Sequence, residues 1–145
     1  MNILLGFGIF YGTGNIGDDL MLQGFLDIYL NLNNVKCKFT CVVPDYKRIE
    51  LLKNRFPLIN WVNNNIDFKD YDAWIGVGDT PIQITSGNWF LNYMNEQVMK
   101  CKENHVKMYM VGIGAEKEVL KTKTIYPEIL QEIKLISTRD IATTN

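Results

Sequence analysis

The residues with most chemical capacity sit close together. Asn15, Asp18 and Asp19 fall within Tyr11-Gly12-Thr13-Gly14-Asn15-Ile16-Gly17-Asp18-Asp19. An amide beside carboxylates can bind sugar hydroxyls or phosphate oxygens, and a carboxyl with a raised pKa can take a proton from a hydroxyl. The glycines of the same stretch, Gly12, Gly14 and Gly17, also fit G-x-G-x-x-G, the dinucleotide fingerprint. A dinucleotide would set its pyrophosphate on free backbone N–H groups at the start of the following helix. Asp18 and Asp19 occupy that start, and each would repel a diphosphate by about 1 kcal/mol or more at ~4 Å, even in a wet site. The fingerprint further asks for an acid ~20 residues past the glycines, and Asp45, the nearest at a strand end, comes late. Dinucleotide binding is therefore the weaker reading. A purely structural alternative has the glycines making a tight turn while Asn15 or Asp18 caps the helix, the acidic first turn suiting its dipole. That accounts for one aspartate and leaves the other residues without a role.

Two further segments end in glycine. Gly76-Val77-Gly78-Asp79 and Gly112-Ile113-Gly114 each follow an apolar run, and Arg139-Asp140 closes a third. The planar fork of Arg139 suits a phosphate, or equally a salt bridge at the domain edge. Thr85 and Ser86 lie in a loop, where capping and turn chemistry are their expected uses. His105, the single histidine, starts a strand at the end away from the glycines, which argues for a structural role. The three cysteines, Cys37, Cys41 and Cys101, have no Cys-x-x-Cys spacing and read as small buried apolar residues of a reduced, cytoplasmic protein. No His, Cys or carboxylate cluster has metal-ligand spacing, so no metal or cofactor is expected.

The elements that must position these residues alternate. Residues 2–10 read as a buried strand, and Asp18 to Leu32 as a helix with Met21, Leu22, Phe25, Leu26, Tyr29 and Leu32 at helical spacing. Strands follow at Val35 to Val43, Leu58 to Val62, Asp72 to Val77, Val106 to Val111 and Leu135 to Thr138. Helices are expected at Tyr46 to Phe56, about Asn88 to Glu103, and near Pro127 to Ile133, with another beginning at Arg139-Asp140. Asn63 to Lys69 is polar and reads as a loop with at most one helical turn. Strands alternating with helices predict an α/β, doubly wound, mostly parallel Rossmann-like sheet with helices on both faces. In such sheets ligands bind beyond the carboxyl ends of the strands, so the glycine loops should gather on one functional rim.

The whole chain of 145 residues suits a single domain, 1–145. Its net charge of −1, with no basic stripe, argues against nucleic acid. No apolar run approaches the ~18 residues of a membrane span, and the N-terminus lacks the basic region of a signal peptide.

Four segments together resemble a known family. "GNIGDDLML" is similar to the Gly-Asn-x-Gly-Asp motif after the first strand of polysaccharide pyruvyl transferases. "YDAWIGVGD" resembles that family's apolar run and glycine triplet, with Val77 in place of the middle glycine. "MYMVGIGAE" resembles its strand leading to Gly-x-Gly, and "LISTRDIATT" its strand followed by Arg-Asp and a nearby hydroxyl residue. The resemblance runs from Asn2 to Thr144, in order.

It implies the N-terminal domain of a two-domain, glycosyltransferase-B-like enzyme, with the C-terminal domain absent from this chain and supplied separately or missing. Such enzymes move an enolpyruvyl group from phosphoenolpyruvate to a sugar of a cell-surface polysaccharide, forming a ketal. Carried over by position, Asn15, Gly17, Gly76, Gly78, Gly112, Gly114 and Arg139 would bind substrate. Asp18 would orient an acceptor hydroxyl or act as base, or else cap its helix. Expected partners are phosphoenolpyruvate and a saccharide acceptor. The alternatives are a heptosyltransferase-like glycosyltransferase domain, suggested by "LLKNRFPLINWV", and a non-catalytic binding module.

Overall fold

A computed structural model describes residues 1–32, 34–121 and 126–140. In chain order the elements are β1 (Asn2–Leu5), α1 (Ile16–Leu30), β2 (Lys38–Val42), α2 (Ile49–Arg55), β3 (Ile59–Val62), β4 (Ala73–Val77), α3 (Trp89–Glu103), β5 (Lys107–Ile113), α4 (Tyr126–Gln131) and β6 (Ile133–Thr138). Short 3-10 turns precede α2, precede β4 and follow β5. The strands form one sheet in the order β3-β2-β1-β4-β5-β6, every neighbouring pair parallel. This is the Rossmann-like doubly wound α/β fold, with helices flanking the sheet.

Register decides which side chains share a face. Leu4 pairs with Thr40 and with Trp74, and Trp74 with Met108, so these four point the same way. Trp74 donates through Nε1 to Gln97 Oε1 at 3.2 Å, which identifies this as the α3 face. Ile3, Leu5, Phe39, Cys41, Ile59 and Trp61 line the opposite face, the one carrying α1 and α2. Leu22 and Leu26 of α1 are buried in the core, as are Phe90, Met94 and Val98 of α3.

β1 stops at Leu5, where the apolar run suggested a strand to residue 10. The cause is Phe7, whose backbone enters the left-handed region at φ 63°. That turn delivers its ring to the α3 face, against Trp74 edge-on at 5.5 Å and beside Phe90 and Tyr93. Phe10 then stacks on Phe90 at 5.4 Å, while Tyr11 returns toward the other face and meets Trp61. The apolar residues after Leu5 are thus core residues of a loop that crosses the end of the sheet.

Tyr11 fixes that crossing. Its ring is fully buried, and its hydroxyl donates to the Val77 carbonyl at the end of β4, at 3.0 Å. Burial drives its pKa well up, so the hydroxyl stays a donor. Tyr11→Phe leaves that bond unmade and is expected to cost about 1–2 kcal/mol, read from urea unfolding midpoints at unchanged slope.

Other boundaries shift by smaller amounts. β2 begins at Lys38, not Val35, because Asn34 turns the chain at φ 71° and Val35 stays exposed. β6 starts two residues early, at Ile133. Arg139 and Asp140 form a bend, and the helix expected to continue from them falls on residues 141–145, outside the described residues, as does the Ala142-Thr143-Thr144 end of the fourth matching segment. The segment between β3 and β4 has only a 3-10 turn at Phe68–Asp70, as its polar composition suggested.

Candidate active site

The strand order reverses between β1 and β4: the chain leaves β1 toward β2 on one side and β4 toward β5 on the other. The loops beyond these two carboxyl ends flank the crevice where open α/β sheets take ligands. The β1 loop brings Asn15, Asp18 and Asp19 there, and the β4 loop brings Asp79 and Thr80. Arg139 arrives from the end of β6, its backbone N–H donating to Ile113 at 3.0 Å.

Asn15 is the N-cap of α1. Its Oδ1 accepts from the Gly17 N–H at 3.2 Å, and its Nδ2 donates to Asp18 Oδ2 at 2.7 Å. Because Asn15 caps, Asp18 does not, and its carboxylate is left for another use. Asp19 accepts from the Gly12 N–H at 2.9 Å through Oδ1 and pairs through Oδ2 with Arg55 of α2. The loop's N–H groups of Gly12 and Gly17 are therefore taken by the loop's own side chains. Those two N–H groups are not offered to a dinucleotide pyrophosphate.

Asp18 and Asp19 are both buried, 8% and 6% exposed. Burial, then the charges of Asp79 and Asp19, push Asp18 up to about 6, with Arg139 opposing. Asp79 is raised as well, chiefly by burial, against the Thr80 N–H and Arg139 that favour its ionised form. Asp79 Oδ1 accepts from the Thr80 N–H, while its Oδ2 is buried and has no hydrogen-bond partner among the described residues. An orphaned carboxylate oxygen is costly in a folded protein. Its backbone adds to that, with φ at 65°. The negative charge of Asp79 is thus one of the causes that raise Asp18, after burial.

Arg139 supplies the positive charge. Its guanidinium donates to Thr80 Oγ1 at 2.9 Å and lies 3.8 Å from Asp140. Gly114 makes room for it, since a Cβ there would come within 2.7 Å of an Arg139 nitrogen. The Gly114 N–H also donates to the Asp79 carbonyl at 2.8 Å, tying the β4 and β5 loops together.

Of the residues singled out by sequence, the structure brings Asn15, Gly17 and Asp18 to this rim, with Gly114 and Arg139 facing them from β5 and β6. Three glycines serve packing. Gly76 is buried within β4, the space beside it filled by Phe7 at 2.7 Å and Trp74 at 2.9 Å. It therefore lines the core, which corrects its assignment to substrate. Gly78 and Gly112, with φ of 74° and 65°, both face Met21 of α1 and let that helix approach the sheet. Thr85 sits with its N–H and hydroxyl on Glu116, at 3.1 and 2.8 Å, bracing the long β4–α3 loop. His105 lies in the turn before β5, at the amino ends of the strands.

Asp79, Thr80, Tyr11 and Arg55 are the participants that sequence reasoning passed over. The available signal was the acid directly after the last glycine of "GVGD", a position at a strand's carboxyl end. Among the described residues no group of three His, Cys, Asp or Glu side chains is placed to hold a metal ion, and no helix is long and apolar enough to cross a membrane. No protein-family model, curated protein or solved structure matches this chain.

Proposed function

We propose that the chain is a pyruvyl-transferase-like domain in which the carboxyl rim positions and deprotonates a saccharide hydroxyl. The observation that carries this reading is the Asp18–Asp79 pair at the switch point: a buried carboxyl raised to about 6, and a half-buried one with a buried oxygen that has no partner among the described residues. Forming a ketal from an enol phosphate requires a proton on the methylene carbon and removal of protons from two attacking hydroxyls. A carboxyl that titrates near neutrality can do either task, because both its forms are populated. Asp18 is the member placed to exchange the proton, oriented by the Asn15 amide. Asp79 acts through it, holding its pKa up as a neighbouring negative charge. Arg139, with its planar fork beside Thr80, suits the phosphate that must depart.

The order of the four matching sequence segments supports the pyruvyl family over a glycosyltransferase of the same architecture. The occupied N–H groups of Gly12 and Gly17 support either over a dinucleotide enzyme. The remaining phosphate and donor contacts would come from a second domain.

A thermal-shift panel tests the proposal. Phosphoenolpyruvate, or a pyruvylatable saccharide, is expected to raise the melting temperature, and Asp18→Asn and Arg139→Met to remove that response. Stabilisation by NAD alone, or by nucleotide-sugars alone, would overturn it in favour of the dinucleotide or glycosyltransferase reading.

A further inference from the structure

The inner side of α1 is spent on the core, and its outer side is apolar as well. Ile16, Leu20 and Ile28 are 69%, 64% and 66% exposed, so among the described residues nothing covers them. With Gly24 they are spaced four residues apart, which makes them one i, i+4 ridge along the helix. α1 contains no Lys or Arg. The one charged side chain it turns outward is Asp27, which accepts from Gln23 Nε2 at 2.7 Å.

Gly24 is the member of this row that packing within the chain does not require. Glycine in mid-helix is less stable than alanine. A Cβ at Gly24 would meet nothing within 4 Å beyond the helix's own backbone. The result is a notch in the ridge, between Leu20 and Ile28.

We infer that this ridge packs against the same ridge of a second copy of the chain, the two α1 helices running antiparallel about a two-fold axis. Ridges of i, i+4 type lie side by side in the commonest helix crossing of globular proteins. In the antiparallel pair, Ile16 of each copy meets Ile28 of the other, and Leu20 of each fills the Gly24 notch of the other. Parallel helices would instead set Leu20 on Leu20 and leave the two notches facing each other, empty. A patch that complements itself is what a two-fold contact needs. The ridge and its exposed neighbours Gln23, Asp27 and Asn31 offer roughly 600 Å² per copy, about 1,200 Å² in all, at the lower edge of stable interfaces. The lack of basic residues on α1 argues against an anionic membrane surface as the occupant. The contact does not depend on the function proposed for the rim.

Sedimentation velocity of the full chain from about 5 to 500 µM tests it. A reversible monomer–dimer equilibrium is expected, with a dissociation constant of about 10–100 µM for an interface of this size. Leu20→Lys should leave the chain folded and weaken the dimer about 100-fold or more. Gly24→Ala should split two readouts: a higher urea midpoint at low concentration, from better helix propensity, and a dimer weakened about tenfold, because the notch is filled. Ile16→Glu and Ile28→Lys each suit their end of the helix dipole. Each alone should lose the dimer, and the two mixed should associate as a heterodimer. A parent chain still monomeric at about 500 µM, or a dimer indifferent to Leu20→Lys, overturns the interface. A dimer unchanged or strengthened by Gly24→Ala, or no association of the mixed pair, overturns the antiparallel pairing.

Discussion

Asp18→Asn is expected to raise the melting temperature at pH 7.5 by about 3–6 °C while abolishing most of any turnover. The stabilisation follows from linkage. Asp18 titrates near 3.8 when unfolded and about 6 when folded, so the folded state holds the proton more tightly. The folded chain is therefore relatively most stable below pH 3.8. It loses stability as pH rises through the window from 3.8 to about 6, and above that the penalty is constant. A two-unit shift corresponds to nearly 3 kcal/mol, which solvent screening at the rim reduces to about 1–2 kcal/mol. Asparagine carries no charge and can still accept from the Asn15 amide through its own Oδ1. The gap between variant and parent should thus close by pH 4 and open fully by pH 7. A variant less stable than the parent at pH 7.5 would mean that Asp18 is a structural carboxylate, and the proposed role would go with it.

Asp79→Asn should behave similarly, since asparagine tolerates a positive φ and keeps the acceptor for the Thr80 N–H. The double variant is the sharper measurement. Either substitution alone removes the repulsion between the two carboxylates, so the second should add less than it does in the parent. The pair should fall short of additivity by about 0.5 kcal/mol or more. Loss of turnover in a completed enzyme is expected to be about 100-fold or more for Asp18→Asn, the scale of a lost general acid or base. Groups that destabilise the fold while serving the chemistry are expected at active sites, and this pair meets the first half of that description on physical grounds alone.

The parallel sheet was legible because buried parallel strands are short apolar runs, and here each run meets a turn signal. The face assignments were less so. Gly76 looked like part of a glycine rim because it lies two residues before Gly78, yet strand alternation points it into the core beside Trp74. Phe7 extended the apparent first strand, since nothing local marks an aromatic residue for the left-handed region; its conformation is set by the pocket among Trp74, Phe90 and Tyr93. Asn15 and Asp18 stood out because their types are unusual after a glycine turn. Asp79 did not, because its significance is its neighbours, Asp18 and Arg139, which lie far away in sequence. Long-range electrostatics is the part of a site that a single sequence displays least.

The same distinction governs the glycines and yields the largest expected stability effect. Gly12, Gly14 and Gly17 draw attention as a fingerprint, yet the residue the fold can least replace is Gly8, outside it. A Cβ at Gly8 would land on the backbone carbonyl oxygen of Val42 and 2.9 Å from Cys41 Sγ. The obstacle is a strand carbonyl in the sheet, which cannot rotate aside as a side chain would. Gly8→Ala must therefore push the β1 loop off β2, dragging Phe7 and Tyr11 from the core, and is expected to cost about 3 kcal/mol or more. Gly14→Ala meets nothing within 4 Å and bears only the strain of φ 94°, so its cost should stay near 1–2 kcal/mol. Urea unfolding of the two variants side by side decides the matter. If Gly14→Ala proves the more damaging, the loop is held by its glycine turn and not by its packing on the sheet. The ranking expected here instead makes Asn15-Ile16-Gly17-Asp18 a segment whose position is set by packing upstream, at Gly8, Phe7 and Tyr11, and whose residues are thereby left free to serve the site.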